Sequence, residues 1–114
     1  MILQTNLKHV ETAEQYDALL REHENVMICC GRMGPMCIPV YQAMIELESS
    51  HPRIAFRDIA FDTPDAHVIR GLPEYRGFMG LPFTVYCKHG KVVEATSGLQ
   101  SKEQVADILD RLFA

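Results

Sequence analysis

From Asn25 the chain runs Val26-Met27-Ile28-Cys29-Cys30 without a charged residue. A strand that is apolar along both faces needs cover on both, and such strands sit at the centre of sheets flanked by helices. The run is short enough for one central strand. It ends in Gly31 to Pro35, a turn. An amphipathic stretch follows, with Val40, Met44, Ile45 and Leu47 on its inner stripe. Strand, tight turn and helix succeed one another, and a loop leaving a strand for a helix N-terminus is where α/β folds place their chemistry. Function is therefore expected at Cys29-Cys30-Gly31-Arg32-Met33-Gly34-Pro35-Met36-Cys37-Ile38-Pro39, which holds three of the four cysteines.

The remaining segments read in order around this centre. Asn6 to Val10 predicts a short first strand. Thr12, with Gln15 three residues on, predicts a capping box opening a helix whose stripe is Ala13, Tyr16, Leu19 and Leu20. Pro39 falls in the first turn of the second helix, where a missing N–H costs nothing. Ile54 to Ala60 reads as a third strand. Asp62-Thr63-Pro64-Asp65 reads as a cap into a short helix from Ala66 to Gly71, and explains both carboxylates better than a metal would. Gly77 to Pro82 is loop. Phe83 to Cys87 and Val92 to Thr96 are strands joined by the turn Lys88-His89-Gly90-Lys91. Ser101 caps a last helix with Val105, Ile108, Leu109, Leu112 and Phe113 inward. The order β-α-β-α-β-α-β-β-α implies an α/β fold, with parallel pairing first and an antiparallel hairpin near the end.

A chain of 114 residues is one ordinary domain, 1–114, and its 47% hydrophobic content is enough for one core. The net charge of -4, with no basic stripe, argues against nucleic acid as a partner. The first residues carry no basic, apolar leader and no run approaches membrane-spanning length, so the expectation is a cytoplasmic protein with no membrane partner. In that compartment four cysteines point to reduced, catalytic or metal-binding thiols rather than a disulfide frame.

Gly80-Leu81-Pro82-Phe83-Thr84-Val85-Tyr86, then Lys88-His89-Gly90-Lys91-Val92-Val93, then Gly98 and a last helix, strongly resemble the thioredoxin family. Gly34-Pro35 matches the middle of that family's Trp-Cys-Gly-Pro-Cys turn. The resemblance covers nearly the whole chain. It implies a thioredoxin fold, a mixed central sheet of four to five strands with helices on both faces, and a cis peptide bond before Pro82 facing the turn. It departs at the chemistry. Aligned without gaps, Arg32-Met33-Gly34-Pro35-Met36 stands where the family's dithiol turn would be, so both cysteines are methionine. The family's buried acid falls at Met27. A one-residue slip makes Cys37 the second cysteine and leaves Met33 in place of the first. The usual CxxC is absent either way.

Cys37 lies in the first turn of a helix, where N–H groups and the macrodipole favour a thiolate, with Arg32 adding positive charge. It is the candidate nucleophile. Cys30 or Cys29 is the candidate resolving thiol. Adjacent strand residues point to opposite faces, so at most one of them serves; parity favours Cys29 and proximity favours Cys30. Cys87 reads as core. Met33, Met36 and Met79 are soft ligands suited to Cu(I), but no histidine accompanies them. Methionine also makes adaptable protein-binding surfaces, and Phe78 beside Met79 fits that use. None of His9, His23, His51, His67 and His89 neighbours a cysteine in sequence.

Three functions follow. The first is thiol–disulfide exchange with protein thiols or disulfides through Cys37, resolved by Cys29 or Cys30, with no cofactor and no metal. The second is a redox-inactive module that docks a protein partner on Arg32, Met33, Gly34, Pro35, Met36, Met79, Leu81 and Pro82. The third is Cu(I) binding.

Overall fold

The computed structural model describes residues 2–113. In chain order it contains β1 (Lys8–Val10), α1 (Ala13–Glu22), β2 (Asn25–Gly31), α2 (Ile38–Glu48), β3 (Ile54–Ala60), α3 (His67–Arg70), β4 (Phe83–Lys88), β5 (Lys91–Ser97) and α4 (Lys102–Phe113). One five-stranded sheet has the order β1-β3-β2-β4-β5. β1 and β2 pair parallel with β3, whereas β4 pairs antiparallel with both β2 and β5.

The apolar run is the middle of this sheet. All seven residues of β2 are buried. Side chains alternate between two cores, as a pleated strand requires. Met27 and Cys29 enter one core with Phe56, Tyr86, Val40, Tyr41 and Met44 of α2, and Val105 and Leu109 of α4. Val26, Ile28 and Cys30 enter the other with Tyr16 and Leu19 of α1, Ile69 of α3, Ile59 and Phe83. Leu3 and Leu7 close the first core from the N-terminal segment.

The expected element order is present, with shifted boundaries. The first strand begins at Lys8, not Asn6. The short helix expected at Ala66–Gly71 is a 3₁₀ turn, Pro64–Ala66, running into α3, and a second 3₁₀ turn, Pro73–Gly77, precedes the expected loop and takes its first residue. Thr12 Oγ1 accepts the Gln15 N–H at 3.1 Å, but Gln15 Oε1 reaches the N–H of Glu11 at 2.7 Å rather than that of Thr12. The reciprocal box forms at α4, where Ser101 and Gln104 exchange both bonds, at 2.8 and 3.1 Å.

Neither aspartate of the Asp62–Asp65 segment caps its own helix. Asp62 pairs with Arg32, and Asp65 Oδ2 accepts the Ala13 N–H of α1 at 2.9 Å. Tertiary contact takes both carboxylates away from local capping. In the β4–β5 hairpin, His89 and Gly90 both take positive φ, 52° and 79°, the turn geometry that matches strand twist.

Candidate functional site

The turn is assembled around Gly31, the last residue of β2. A Cβ there would lie 2.5 Å from the Tyr41 hydroxyl, 2.9 Å from Cys37 Sγ and 3.3 Å from Pro82 Cβ. Three segments distant in sequence thus converge on a residue without a side chain. The Leu81–Pro82 bond is cis. Phe61 N–H donates to the Gly31 carbonyl at 2.9 Å, and Tyr41 Oη donates to the Arg32 carbonyl at 3.0 Å. The N–H groups of Cys37 and Ile38 both reach the Gly34 carbonyl at 3.0 Å, which winds Gly34–Cys37 directly into α2.

Cys37, the candidate nucleophile, stands at the start of α2. It is buried, 3% exposed, because the first turn of α2 folds its side chain inward against Gly31. Cys29, Cys30 and Cys87 are buried too, and all four are free thiols. Cys29 shares a core with Cys37, whereas Cys30 and Cys87 lie in the core across the sheet. The structure therefore brings Cys29 and Cys37 to one side and leaves Cys30 on the other.

Burial pushes the Cys29 thiol well above its usual range. It pushes Cys30 up to about 12 and Cys87 to about 11. These three stay protonated near neutral pH.

Arg32 does not add free positive charge to the turn. Its guanidinium forks onto Asp62, Nε to Oδ2 and Nη2 to Oδ1, both at 2.8 Å, and lies 5.3 Å from the Phe61 ring centre. Hydrogen bonding from Arg32 holds the Asp62 carboxyl below its ordinary range.

The methionines behave oppositely to the thiols. Met33 is 42% exposed, Met36 50% and Met79 91%. Pro35 is exposed beside them, Gly34 and Leu81 are half-buried and Pro82 is buried. Phe78 does not extend this surface. It stacks on Tyr75 at 4.8 Å between ring centres, near Phe61 and Phe83, and packs against the core across the sheet from Cys37. Among the described residues, no group of three or more His, Cys, Asp or Glu side chains gathers as a metal site.

Sequence reading missed a polar file beneath the turn. In register across the sheet stand His9, Asp58, Cys29, Thr84 and Thr96, one from each strand. Asp58 is 0% exposed, accepts from Thr5 Oγ1 at 2.5 Å and lies 2.6 Å from His9 Nδ1. The Thr84 hydroxyl donates to Cys29 Sγ at 3.6 Å. A buried acid, absent at Met27, is thus present one strand away at Asp58. Its sequence signal is one charged residue at an inward position of β3, between Phe56 and Ala60.

No family model matches the chain, and no curated protein matches it by sequence. Its fold is shared with solved thioredoxins. A Plasmodium falciparum thioredoxin superposes with a TM-score of 0.75 at 16% identity, over 93% of this chain and 99% of that one. Mitochondrial thioredoxin 3 from Saccharomyces cerevisiae gives 0.74 at 14%, over 93% and 95%. Thioredoxin O2 from Arabidopsis thaliana gives 0.75 at 10%, over the whole of both chains. The chain has the thioredoxin fold.

Two predictions follow from this geometry. Gly31→Ala places a methyl group against Tyr41 and Cys37, and should cost about 1–3 kcal/mol by overpacking, measured by urea denaturation; an unchanged midpoint would contradict the close approach. The second concerns Asp58, whose carboxyl burial raises above its usual range, against the opposing hydrogen bonds from Thr5 and His9. The folded state keeps this proton where the unfolded chain has lost it, so the contribution to stability falls as pH rises through that interval. Relative to Asp58→Asn, the wild type should gain stability as pH is lowered from about 7 to about 4. Denaturation curves of both proteins across that range test it, and a relative loss on acidification would contradict it.

Proposed function

We propose that the protein is a thioredoxin-fold binding module that docks a partner protein's chain at the Arg32–Met36 turn. The observation that carries this reading is an inversion at the turn. Methionines occupy both positions of the resembled dithiol and face solvent, while every cysteine is buried. A reactive thiol must be reached by its target disulfide, whereas an exposed thioether is suited to adaptable apolar contact. Met33 and Met36 supply the surface on the turn, and Met79 and Leu81 supply it on the loop before Pro82. The Arg32–Asp62 fork holds one edge in place.

A second reading, thiol–disulfide exchange, is favoured by the placement of Cys29 and Cys37 in one core beside Pro82. In it, a Cys37 thiolate attacks one sulfur of a partner disulfide and the other sulfur leaves as a thiolate that takes up a proton. The Cys29 thiol then attacks Cys37 Sγ, giving up its proton as the second partner sulfur takes one up, which forms Cys29–Cys37 and releases the second partner thiol. The partner gains two electrons and the chain loses two. This step requires the turn to open first.

Thiol titration of the native protein before and after mild oxidation separates the two. Docking expects four free thiols in both states and slow alkylation. Exchange expects two to disappear, with the loss abolished by Cys37→Ser or Cys29→Ser and kept in Cys30→Ser. For the docking face, peptides selected from a random library on the wild type should bind Met36→Glu and Met79→Glu at least about tenfold more weakly, at unchanged thermal midpoint, since exposed substitutions rarely shift stability beyond about 0.5 kcal/mol. Equal binding by both variants would sink the docking reading.

A further inference from the structure

A second site lies away from the turn, near the starts of the parallel strands. A cavity of about 260 Å³ opens there, lined by Lys8, His23, Glu48, Arg53 and Arg57 among others. Lys8 and Arg57 are direct register partners on β1 and β3. Like charges placed opposite one another across a sheet repel, and neither they nor Arg53 forms an ion pair among the described residues. Lys8 and Arg53 are exposed, whereas Arg57 is half-buried and its Nη1 donates only to the adjacent Phe56 carbonyl, at 2.9 Å. Glu48 is the one carboxylate in the lining, and Glu22 lies in the adjoining cavity with Arg57, His9 and His23. Three permanent cations thus face one carboxylate, on a chain whose net charge is -4.

We propose that this cavity binds a phosphoryl group, held by Lys8, Arg53 and Arg57, from a small phosphate ester or free phosphate. A guanidinium offers paired donors in the fork that phosphate oxygens accept, and an ammonium adds a point charge. A dianion answers the excess of positive charge where a single carboxylate already present does not. Burial lowers the affinity of Arg57 for its proton, and a bound anion offsets that cost. The volume falls just below the span usual for drug-sized ligands, about 300–1,000 Å³, which suits a monoester and not a dinucleotide. The site is separate from the docking turn, so its fate does not depend on that reading.

The test is a two-dimensional NMR titration with inorganic phosphate, ribose 5-phosphate and, as neutral control, ribose, at constant ionic strength set by sodium chloride. Support is a saturable shift confined to amides around Lys8, His23, Arg53 and Arg57, given by both phosphates and not by ribose. Tighter binding of the ester assigns the monoester as source; equal binding assigns free phosphate. Lys8→Gln with Arg53→Gln, both exposed, should leave the fold intact and weaken binding at least about tenfold, as loss of two charged hydrogen bonds implies. Three results would overturn the proposal. One is no saturable shift, and another is equal shifts with chloride alone. The third is a double variant that loses stability yet keeps the phosphate shifts, which would assign the cations to the nearby C-terminal ends of α1 and α2 instead.

Discussion

The complete burial of β2 is the constraint on which the structure depends. A strand with no exposed residue must be paired on both edges and covered on both faces. β3 and β4 supply the edges. α2 and α4 cover one face, α1 and α3 the other. The strand has one direction in which it can release the chain, and it does so at Gly31. Everything proposed for the turn follows from that exit, because Cys37, Tyr41 and Pro82 all close on the space a side chain would have taken.

That close packing separates two kinds of sulfur. Cys29 and Cys37 lie where the sheet and α2 meet, Cys30 and Cys87 on the opposite face, and burial keeps the strand cysteines protonated. The thioethers of Met33, Met36 and Met79 lie on the outer side of the turn and of the loop before Pro82. The same sheet carries a buried carboxylate, Asp58, in register with Cys29 and tied to His9 and Thr5. A buried carboxylate is tolerated in a core only when it finds partners, and the N-terminal segment is held down in providing them for Asp58. The opposite pleat of the same two strands carries Lys8 and Arg57 to the face of α1. One pair of adjacent strands thus supports an acid on one side and paired cations on the other.

Much of the fold is legible in the residues. The alternation of apolar runs and amphipathic stretches yields the element order, since side-chain periods of 2 and 3.6 are local properties. Gly80 to Val93 and Gly34-Pro35 carry the resemblance to thioredoxin, and the superposed thioredoxins share that fold. The site is less legible. Arg32 reads as a free charge beside Cys37, but its partner Asp62 is thirty residues away and reads locally as a cap. Phe78 reads as surface beside Met79, yet Tyr75 and Phe61 take it into their stack. His9 has no cysteine near it in sequence and stands two strands from Cys29 in register.

By itself, the sequence determined that the chain is α/β, that its centre is the strand ending at Cys30 and Gly31, and that no CxxC exists at the turn. These are matters of period, composition and residue identity, which need no partner from elsewhere in the chain. Only the tertiary structure decided that Cys37 points inward and Met33 and Met36 outward. It also decided that Cys29 rather than Cys30 shares its core, and that a buried acid, Asp58, stands in register with Cys29. Those outcomes depend on which strands pair and in what register, and a one-residue change of register sends every side chain to the other face.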